Sequence, residues 1–212
     1  MKKIDIENWN RNEQFYNFKN FEDPFFNICA DVNVTLLKSY TQKESVSFFL
    51  TSYYLVLKVV NELEAFKLRI RKNEVVLHEK IRGSCPILRD DKTFGYGYFT
   101  FFYDFLEFES NANLVIQKVK NGEPFDPKFD EDDLIHTSII PWVSFKSFEH
   151  AKRLNQGDSI PKVVMGKVYQ VGVNLMMPVS VSGHHSLIDG LHIGEFFEKF
   201  QDLLNQPNEQ FK

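Results

Sequence analysis

The stretch Ser180–His192, which reads Ser-Val-Ser-Gly-His-His-Ser-Leu-Ile-Asp-Gly-Leu-His, separates two different sequence patterns. The segment before it, 163–181, is rich in Val, Met and Tyr and has one polar interruption near Gln170–Gly172, which predicts a hairpin of two strands. Asp189 stands where a helix N-cap would stand. The stretch is therefore predicted to be a strand-to-helix turn that carries two histidines. The helical spacing after the turn rests on Leu191, Phe196, Phe197, Phe200, Leu203 and Leu204.

A histidine held in such a turn suits general-base chemistry, because the ordinary pKa of an imidazole lies close to neutral pH. Histidines in turns are also often solvated or hydrogen-bonded locally, and Asp before Gly is often only a cap. Metal binding is a further alternative for His184, His185, Asp189 and His192. The sequence has no Cys-x-x-Cys and no His-x-x-x-His pair to support it, so we expect no metal site.

The composition narrows the class of protein. A chain of 212 residues, 43% hydrophobic and 25% charged, is expected to form one domain over residues 1–212. A net charge of −4 gives no reason to expect nucleic acid or a membrane as partner. Cys29 and Cys85 do not make a disulfide framework, Met1–Asn12 lacks the apolar core of a signal peptide, and Phe48–Val60 is too short to span a bilayer. We expect a soluble cytoplasmic protein.

Strands and helices are mixed along the chain, which predicts one α/β, sandwich-like domain. Thr41–Glu44 has the form of a capping box and is predicted to precede a helix. The segment 125–133 is predicted to be a loop and 145–158 to be irregular. Helices are predicted over Asp5–Phe18, Val46–Leu63, Phe105–Lys120 and from the histidine turn to Asn205, and strands over Phe25–Val34, Phe66–Arg71, Val75–Leu77, Gly95–Tyr103 and Leu134–Ile140.

The pattern His-His-x-x-x-Asp-Gly-x-His, at this distance from the C-terminus, resembles the active-site signature of the chloramphenicol acetyltransferase family, in its type A branch. Asn8–Arg11 resembles the Asn-Trp-x-Arg opening of that family. Ser138–Phe145 resembles its Ser-x-x-Pro-Trp-Val-x-Phe segment. The similarity therefore extends over nearly the whole chain.

The resemblance implies an α+β two-layer sandwich with a mixed β-sheet and helices packed on one face. It implies an O-acetyltransferase that uses acetyl-CoA as co-substrate and transfers the acetyl group directly to a hydroxyl of a small molecule. By the same resemblance, His185 is the general base, Ser138 donates to the oxyanion, and Arg11 pairs with Asp189. It further implies a homotrimer, with each site between His185 of one subunit and a pocket face of the next.

Four residues depart from the family pattern. Ser182 stands where the family has Gln, and Gly183 stands where it has a branched aliphatic residue. Val164 replaces a Thr that helps to solvate the transition state, and His150 replaces an apolar Leu of the antibiotic pocket. The catalytic centre is thus predicted to be intact and the acceptor pocket altered, so that chloramphenicol or a related small molecule is the expected acceptor.

The resemblance also places Phe26, and allows Phe18, in the acceptor pocket, so the predicted substrate-binding residues are Phe18, Phe26, His150 and Val164. Two alternatives stay open. One is the catalytic core of a dihydrolipoyl acyltransferase, against which counts the lack of a preceding lipoyl domain or flexible linker. The other is a non-catalytic trimer of the same fold that binds a ligand without turnover.

Overall fold

The structure is a computed structural model that describes residues 1–151 and 157–211. The strands are β1 (Lys2–Lys3), β2 (Phe25–Asn33), β3 (Leu68–Arg71), β4 (Glu74–Leu77), β5 (Arg82–Leu88), β6 (Phe94–Phe99), β7 (Leu134–Ile140), β8 (Lys162–Gly166), β9 (Tyr169–Val171) and β10 (Asn174–His184). The helices are α1 (Asn12–Phe18), α2 (Thr35–Glu44), α3 (Phe48–Glu62), α4 (Glu64–Lys67), α5 (Phe105–Lys120), α6 (Gly190–Asn205) and α7 (Pro207–Gln210). No helix in the described part is long and apolar enough to cross a membrane.

The largest element of the fold is a seven-stranded mixed β-sheet. Its strand order is β2-β10-β8-β7-β5-β6, with β9 paired to β10 beside this path. The pairs β5–β7 and β7–β8 are parallel, and the remaining pairs are antiparallel. A smaller antiparallel sheet has the order β1-β4-β3. The mixed sheet predicted from the resemblance is therefore present.

The helices pack on one face of the large sheet. Alternate strand residues such as Ile135, Val163 and Val181 are fully buried against this helical layer. Gly83 of β5 lets the central helix α3 approach closely, since a Cβ atom there would lie 1.9 Å from the Tyr53 hydroxyl. The other face of β7 and β8 presents polar side chains toward a cleft. This two-layer arrangement confirms the predicted α/β fold class.

Most predicted elements are present, with shifts at their ends. The helix predicted over 5–18 forms only over Asn12–Phe18, and the strand predicted over 95–103 ends at Phe99. Neither α2 nor β5 was predicted. The described part of 145–158 has no helix or strand, as expected, and 152–156 lie outside the described residues.

The capping-box prediction at Thr41–Glu44 was wrong. These residues form the last turn of α2, which ends at Ser45 with a left-handed φ of 56°. The N-cap of α3 is Ser47, whose Oγ accepts a hydrogen bond from Leu50 N at 3.3 Å. A four-residue capping pattern can also occur within a helix. Here the residue that caps α3 is Ser47, three residues after Glu44.

Candidate active site

The turn between β10 and α6 is fixed by the backbone of His184. The N–H groups of Leu187 and Ile188 both donate to His184 O at 2.9 Å, and Ser186 N donates to His184 Nδ1 at 3.2 Å. The His184 side chain is only 5% exposed, and burial lowers its pKa to about 4. A neutral His184 thus stabilises the turn that presents His185.

Gly183 and Ile188 pack against each other across the same turn. A Cβ atom added at Gly183 would lie 2.8 Å from Ile188 Cγ2 and 2.9 Å from Ile188 Cβ. Ile188 is 1% exposed and belongs to the main core. Ile188 therefore fills the space that a side chain at position 183 would occupy. This explains why Gly183 can stand where the family has a branched aliphatic residue without leaving a void.

Asp189 caps α6 and binds Arg11. Its Oδ1 accepts from Leu191 N at 3.0 Å, and its Oδ2 lies 2.5 Å from Arg11 Nη1. Burial raises the pKa of Asp189, but the hydrogen bond from Arg11 and the charge of His192 outweigh it, so the pKa is lowered. Arg11 Nη2 also donates to His185 O at 3.4 Å. The ion pair expected from the resemblance is present and holds the backbone of the histidine turn.

The His185 ring is held between two phenylalanines. Phe18 stacks on it with ring centroids 3.9 Å apart and planes 2° apart, and Phe26 packs against it at 4.6 Å. His185 N donates to Pro24 O at 2.8 Å. The Nδ1 atom is buried and has no hydrogen-bond partner among the described residues. Because Nδ1 is enclosed, Nε2 is the ring nitrogen left to meet a substrate.

Ser138 lies on β7 and lines a cleft of about 880 Å³ on the open face of the sheet. No hydrogen bond to a described residue engages its hydroxyl. A smaller cavity of about 400 Å³, lined in part by Phe26 and Ser182, adjoins the cleft, and His150 and Lys162 line both. His185 is not among the residues that line either cavity.

The sheet register separates Ser138 from His185 of the same chain. Ser138 pairs with Val164 across β7–β8, and Val164 pairs with Ser180 across β8–β10. His185 comes five residues after Ser180, so the two catalytic candidates lie about 16 Å apart along the strands and about 10 Å apart across them. One chain therefore does not bring them to the same carbonyl group.

The predicted pocket residues lie in different places. His150 lines the cleft, with its ring edge on Phe148 at 4.9 Å, and Phe26 lines the smaller cavity. Phe18 contacts His185 rather than the cleft. Val164 is fully buried and is not among the cleft residues, so its contact with a ligand stays a prediction that would require its neighbours to move.

The sequence reasoning missed three polar residues of the cleft, which are His136, Asp158 and Lys162. His136 precedes Ser138 by two residues on β7, and residues two apart on a strand share a face, so this signal was available in the sequence. The positions of Asp158 and Lys162 depend on how β8 enters the sheet, and no local sequence pattern indicates this.

No group of side chains in the described part of the chain is arranged to hold a metal ion. Three of the four residues considered for a metal are already engaged within the turn. His184 Nδ1 accepts from Ser186 N, and His192 Nδ1 lies 2.9 Å from Asp189 Oδ1 and 3.1 Å from Asp189 N. These contacts use the ligand atoms to cap the turn and the helix.

Comparison with known proteins decides the family. A sequence model of chloramphenicol acetyltransferase matches residues 1–201. The chain belongs to the chloramphenicol acetyltransferase family. Among curated chloramphenicol acetyltransferases, one of Staphylococcus aureus is 29% identical over 210 residues, covering 98% of this chain and 97% of its own. Chloramphenicol acetyltransferase 3 of Escherichia coli is 25% identical over 205 residues and covers 96% of each chain.

Solved structures agree with this assignment. A chloramphenicol acetyltransferase structure superposes with a TM-score of 0.89 at 31% identity, covering 96% of this chain and all of that one. The dihydrolipoamide acetyltransferase of Azotobacter vinelandii superposes with a TM-score of 0.68 at 15% identity, covering 93% of this chain and 88% of that one, and so shares the fold alone. Membership of the chloramphenicol acetyltransferase family confirms the predicted enzyme class, an acetyltransferase with acetyl-CoA as its co-substrate.

Proposed function

We propose that the chain transfers the acetyl group of acetyl-CoA to a hydroxyl of chloramphenicol or of a related small molecule, with His185 as general base. The observation that carries this proposal is the contact of Arg11 with both Asp189 and His185 O. It fixes the turn at a strand-to-helix junction, and a fixed turn gives a base the constant position that proton transfer requires.

In this mechanism, His185 Nε2 takes the proton of the acceptor hydroxyl. The hydroxyl oxygen attacks the thioester carbonyl, and the Ser138 hydroxyl donates to the oxygen on which negative charge develops. The carbon–sulfur bond then breaks, and CoA leaves as a thiol with the proton that His185 returns. His185 therefore acts first as base and then as acid.

The cysteines support direct transfer without an acetyl-enzyme. Cys85 is buried, and burial raises its pKa to about 12. Burial also raises the pKa of Cys29. Both residues are therefore thiols rather than thiolates at neutral pH and are poor nucleophiles.

The proposal includes a homotrimer with active sites between subunits. The distance between Ser138 and His185 within one chain supports it, because the two side chains can meet one substrate only if they come from different chains. The cleft at Ser138 and the partly exposed His185 would then be the two halves of each site. A cytoplasmic location is a further part of this proposal and stays a prediction.

The test is the release of CoA thiol from acetyl-CoA by the purified protein, with and without chloramphenicol. Release that depends on chloramphenicol and falls by about 10²- to 10⁴-fold in His185→Ala would support both reaction and acceptor. Ser39→Ala, an exposed change on α2, serves as the control. Release with other alcohols only would reject chloramphenicol, and silence with every alcohol in a protein that binds acetyl-CoA would favour the non-catalytic alternative.

A further inference from the structure

Most polar side chains that line the cleft beside Ser138 already have partners within the chain. Lys162 Nζ lies 2.8 Å from Asp158 Oδ2. The Tyr98 hydroxyl bonds to backbone atoms of residues 126 and 128 at 2.8 and 2.9 Å. These groups hold the wall of the cleft together, so an acceptor has to form its hydrogen bonds with other side chains.

His136 differs from these residues because only one nitrogen of its ring is used. Its Nδ1 atom lies 2.7 Å from Ser84 Oγ. Its Nε2 atom makes no hydrogen bond to any described residue and stays accessible to solvent. The His136 side chain is half-buried and lines the cleft, so Nε2 is the ring nitrogen that a ligand in the cleft can reach.

The position of His136 relates it to the reacting end of an acceptor. It precedes Ser138 by two residues on β7, so both side chains lie on the face of the sheet that borders the cleft, about 7 Å apart along the strand. The proposed role of Ser138, donation to the oxyanion, places the reacting hydroxyl beside it. A group that binds His136 therefore belongs to a part of the acceptor that lies a few bonds from the reacting hydroxyl.

The chemistry of the Ser84–His136 pair favours a hydroxyl as this group. Burial lowers the pKa of His136 to about 4, so the ring is uncharged at neutral pH. The Ser84 hydroxyl can rotate either to donate to Nδ1 or to accept from it, and Nε2 then carries the proton or the lone pair accordingly. A hydroxyl both donates and accepts, so it fits either form of the ring, whereas an anion fits only one.

We propose that His136 is an acceptor-binding residue whose Nε2 atom bonds the non-reacting hydroxyl of a diol acceptor. Chloramphenicol carries two hydroxyl groups on a three-carbon chain, so one can react near Ser138 while His136 holds the other. This inference rests on the proposed acetyl transfer and adds to it the residue that recognises the second hydroxyl.

The test compares chloramphenicol with its 1-deoxy analogue, which keeps the primary hydroxyl and lacks the secondary one. Thiol release measures kcat/KM for each compound, and calorimetry measures the binding of each in the absence of acetyl-CoA. We expect the wild type to prefer chloramphenicol by about 10-fold or more in both measurements, because the analogue leaves Nε2 without a partner.

His136→Gln and His136→Asn form a matched pair of variants. The amide of Gln reaches about as far as Nε2, whereas the amide of Asn reaches only about as far as Nδ1 and can still bond to Ser84. We expect His136→Gln to keep the preference within about 3-fold of the wild type. We expect His136→Asn to reduce the preference to below about 3-fold, through slower reaction of chloramphenicol with little change for the analogue.

The results distinguish this inference from the proposed acetyl transfer. Thiol release without a preference for chloramphenicol, a preference that survives in His136→Asn, or equal slowing of both compounds in that variant would overturn the inference and leave acetyl transfer standing. A binding preference that depends on His136, without thiol release, would support the inference and reject acetyl transfer. If neither compound binds or reacts, both proposals are wrong.

Discussion

Arg11 Nη1 lies 2.5 Å from Asp189 Oδ2 although the two residues are 178 positions apart in the chain. Arg11 directly precedes α1, and Asp189 caps α6, so the pair joins the start of the chain to its last long helix. The same guanidinium reaches His185 O. One side chain therefore sets both the charge at the helix start and the position of the proposed base.

We expect Asp189→Asn and Asp189→Ala to separate the two roles of this carboxylate. Asn keeps an acceptor for Leu191 N but loses the attraction to Arg11, whereas Ala loses both. Both variants should lower kcat/KM by at least about 10-fold, because the turn that carries His185 loses its anchor. Ala should lose about 1 kcal/mol more unfolding free energy than Asn, measured in urea, because only Ala also loses the helix cap.

The matched control is the exposed pair Lys199–Glu62, with Nζ and Oε2 3.1 Å apart. Glu62→Gln should change neither kcat/KM nor stability measurably, since exposed pairs contribute between about 0 and 1 kcal/mol. Full activity in Asp189→Asn would show that the ion pair does not position the base.

Restoring a side chain at Gly183 should destabilise the protein, because Ile188 occupies the space that it needs. We expect Gly183→Val to cost about 1–3 kcal/mol and to lower kcat/KM. Adding Ile188→Ala to Gly183→Val should recover part of both losses, so the double-mutant cycle should give a favourable coupling energy. Additive effects in urea unfolding would contradict the packing relationship.

Mixing Ser138→Ala and His185→Ala subunits should restore activity if the sites lie between subunits. Each mixed trimer would then contain one site with an intact Ser138 and an intact His185. Co-refolding equal amounts of the two inactive variants should give about a quarter of wild-type activity. The separately refolded variants, combined only in the assay, are the control. Activity that stays at the level of the single variants after co-refolding would favour a site within one chain.

His184 should make stability fall in mild acid. Burial lowers the pKa of His184 from 6.5 to about 4, with a smaller lowering by Lys162 and His185 and an opposing effect of Asp158. The folded state then binds fewer protons than the unfolded state, so this contribution is complete above pH 6.5 and is lost as the pH falls from about 6.5 towards 4.

Urea unfolding at pH 7.5, 6 and 5 measures this loss. His136 and His150 will contribute in the same direction, because burial lowers their pKa values as well. The difference between the wild type and His184→Asn isolates His184, and we expect the variant to lose about 1–3 kcal/mol less over this range. Parallel curves would show that His184 is not held neutral.

Local patterns in the sequence were sufficient to predict the turn that carries His184 and His185. The hydrophobic spacing after Leu191 and the cap at Asp189 are both encoded within a few residues, and the structure has α6 begin at Gly190 as these signals require. Resemblance to the family added Arg11, which no local pattern connects to a turn so far along the chain. The partnership was predictable only because the family motif spans both ends.

Contacts between elements that are far apart in the chain could not be predicted from the sequence. The stacking of Phe18 on His185 depends on how α1 meets the end of β10, and the His136–Ser84 contact depends on the parallel pairing of β5 with β7. Val164, which the resemblance places in the pocket, is fully buried, and its contact with a ligand stays a prediction. Position in a motif does not determine how deeply a strand residue is covered.

The pairing of β2 with β10 has a consequence for how the chain is made. Residues joined across this pair, from Asn33 with Met176 to Phe25 with His184, are more than 140 positions apart. Such long-range closure is slow, and until β10 arrives both β2 and β8 present open strand edges on which other chains can add. During synthesis, the sheet therefore cannot be completed until β10 has been made. A chain that ends before β10 should aggregate rather than retain partial activity.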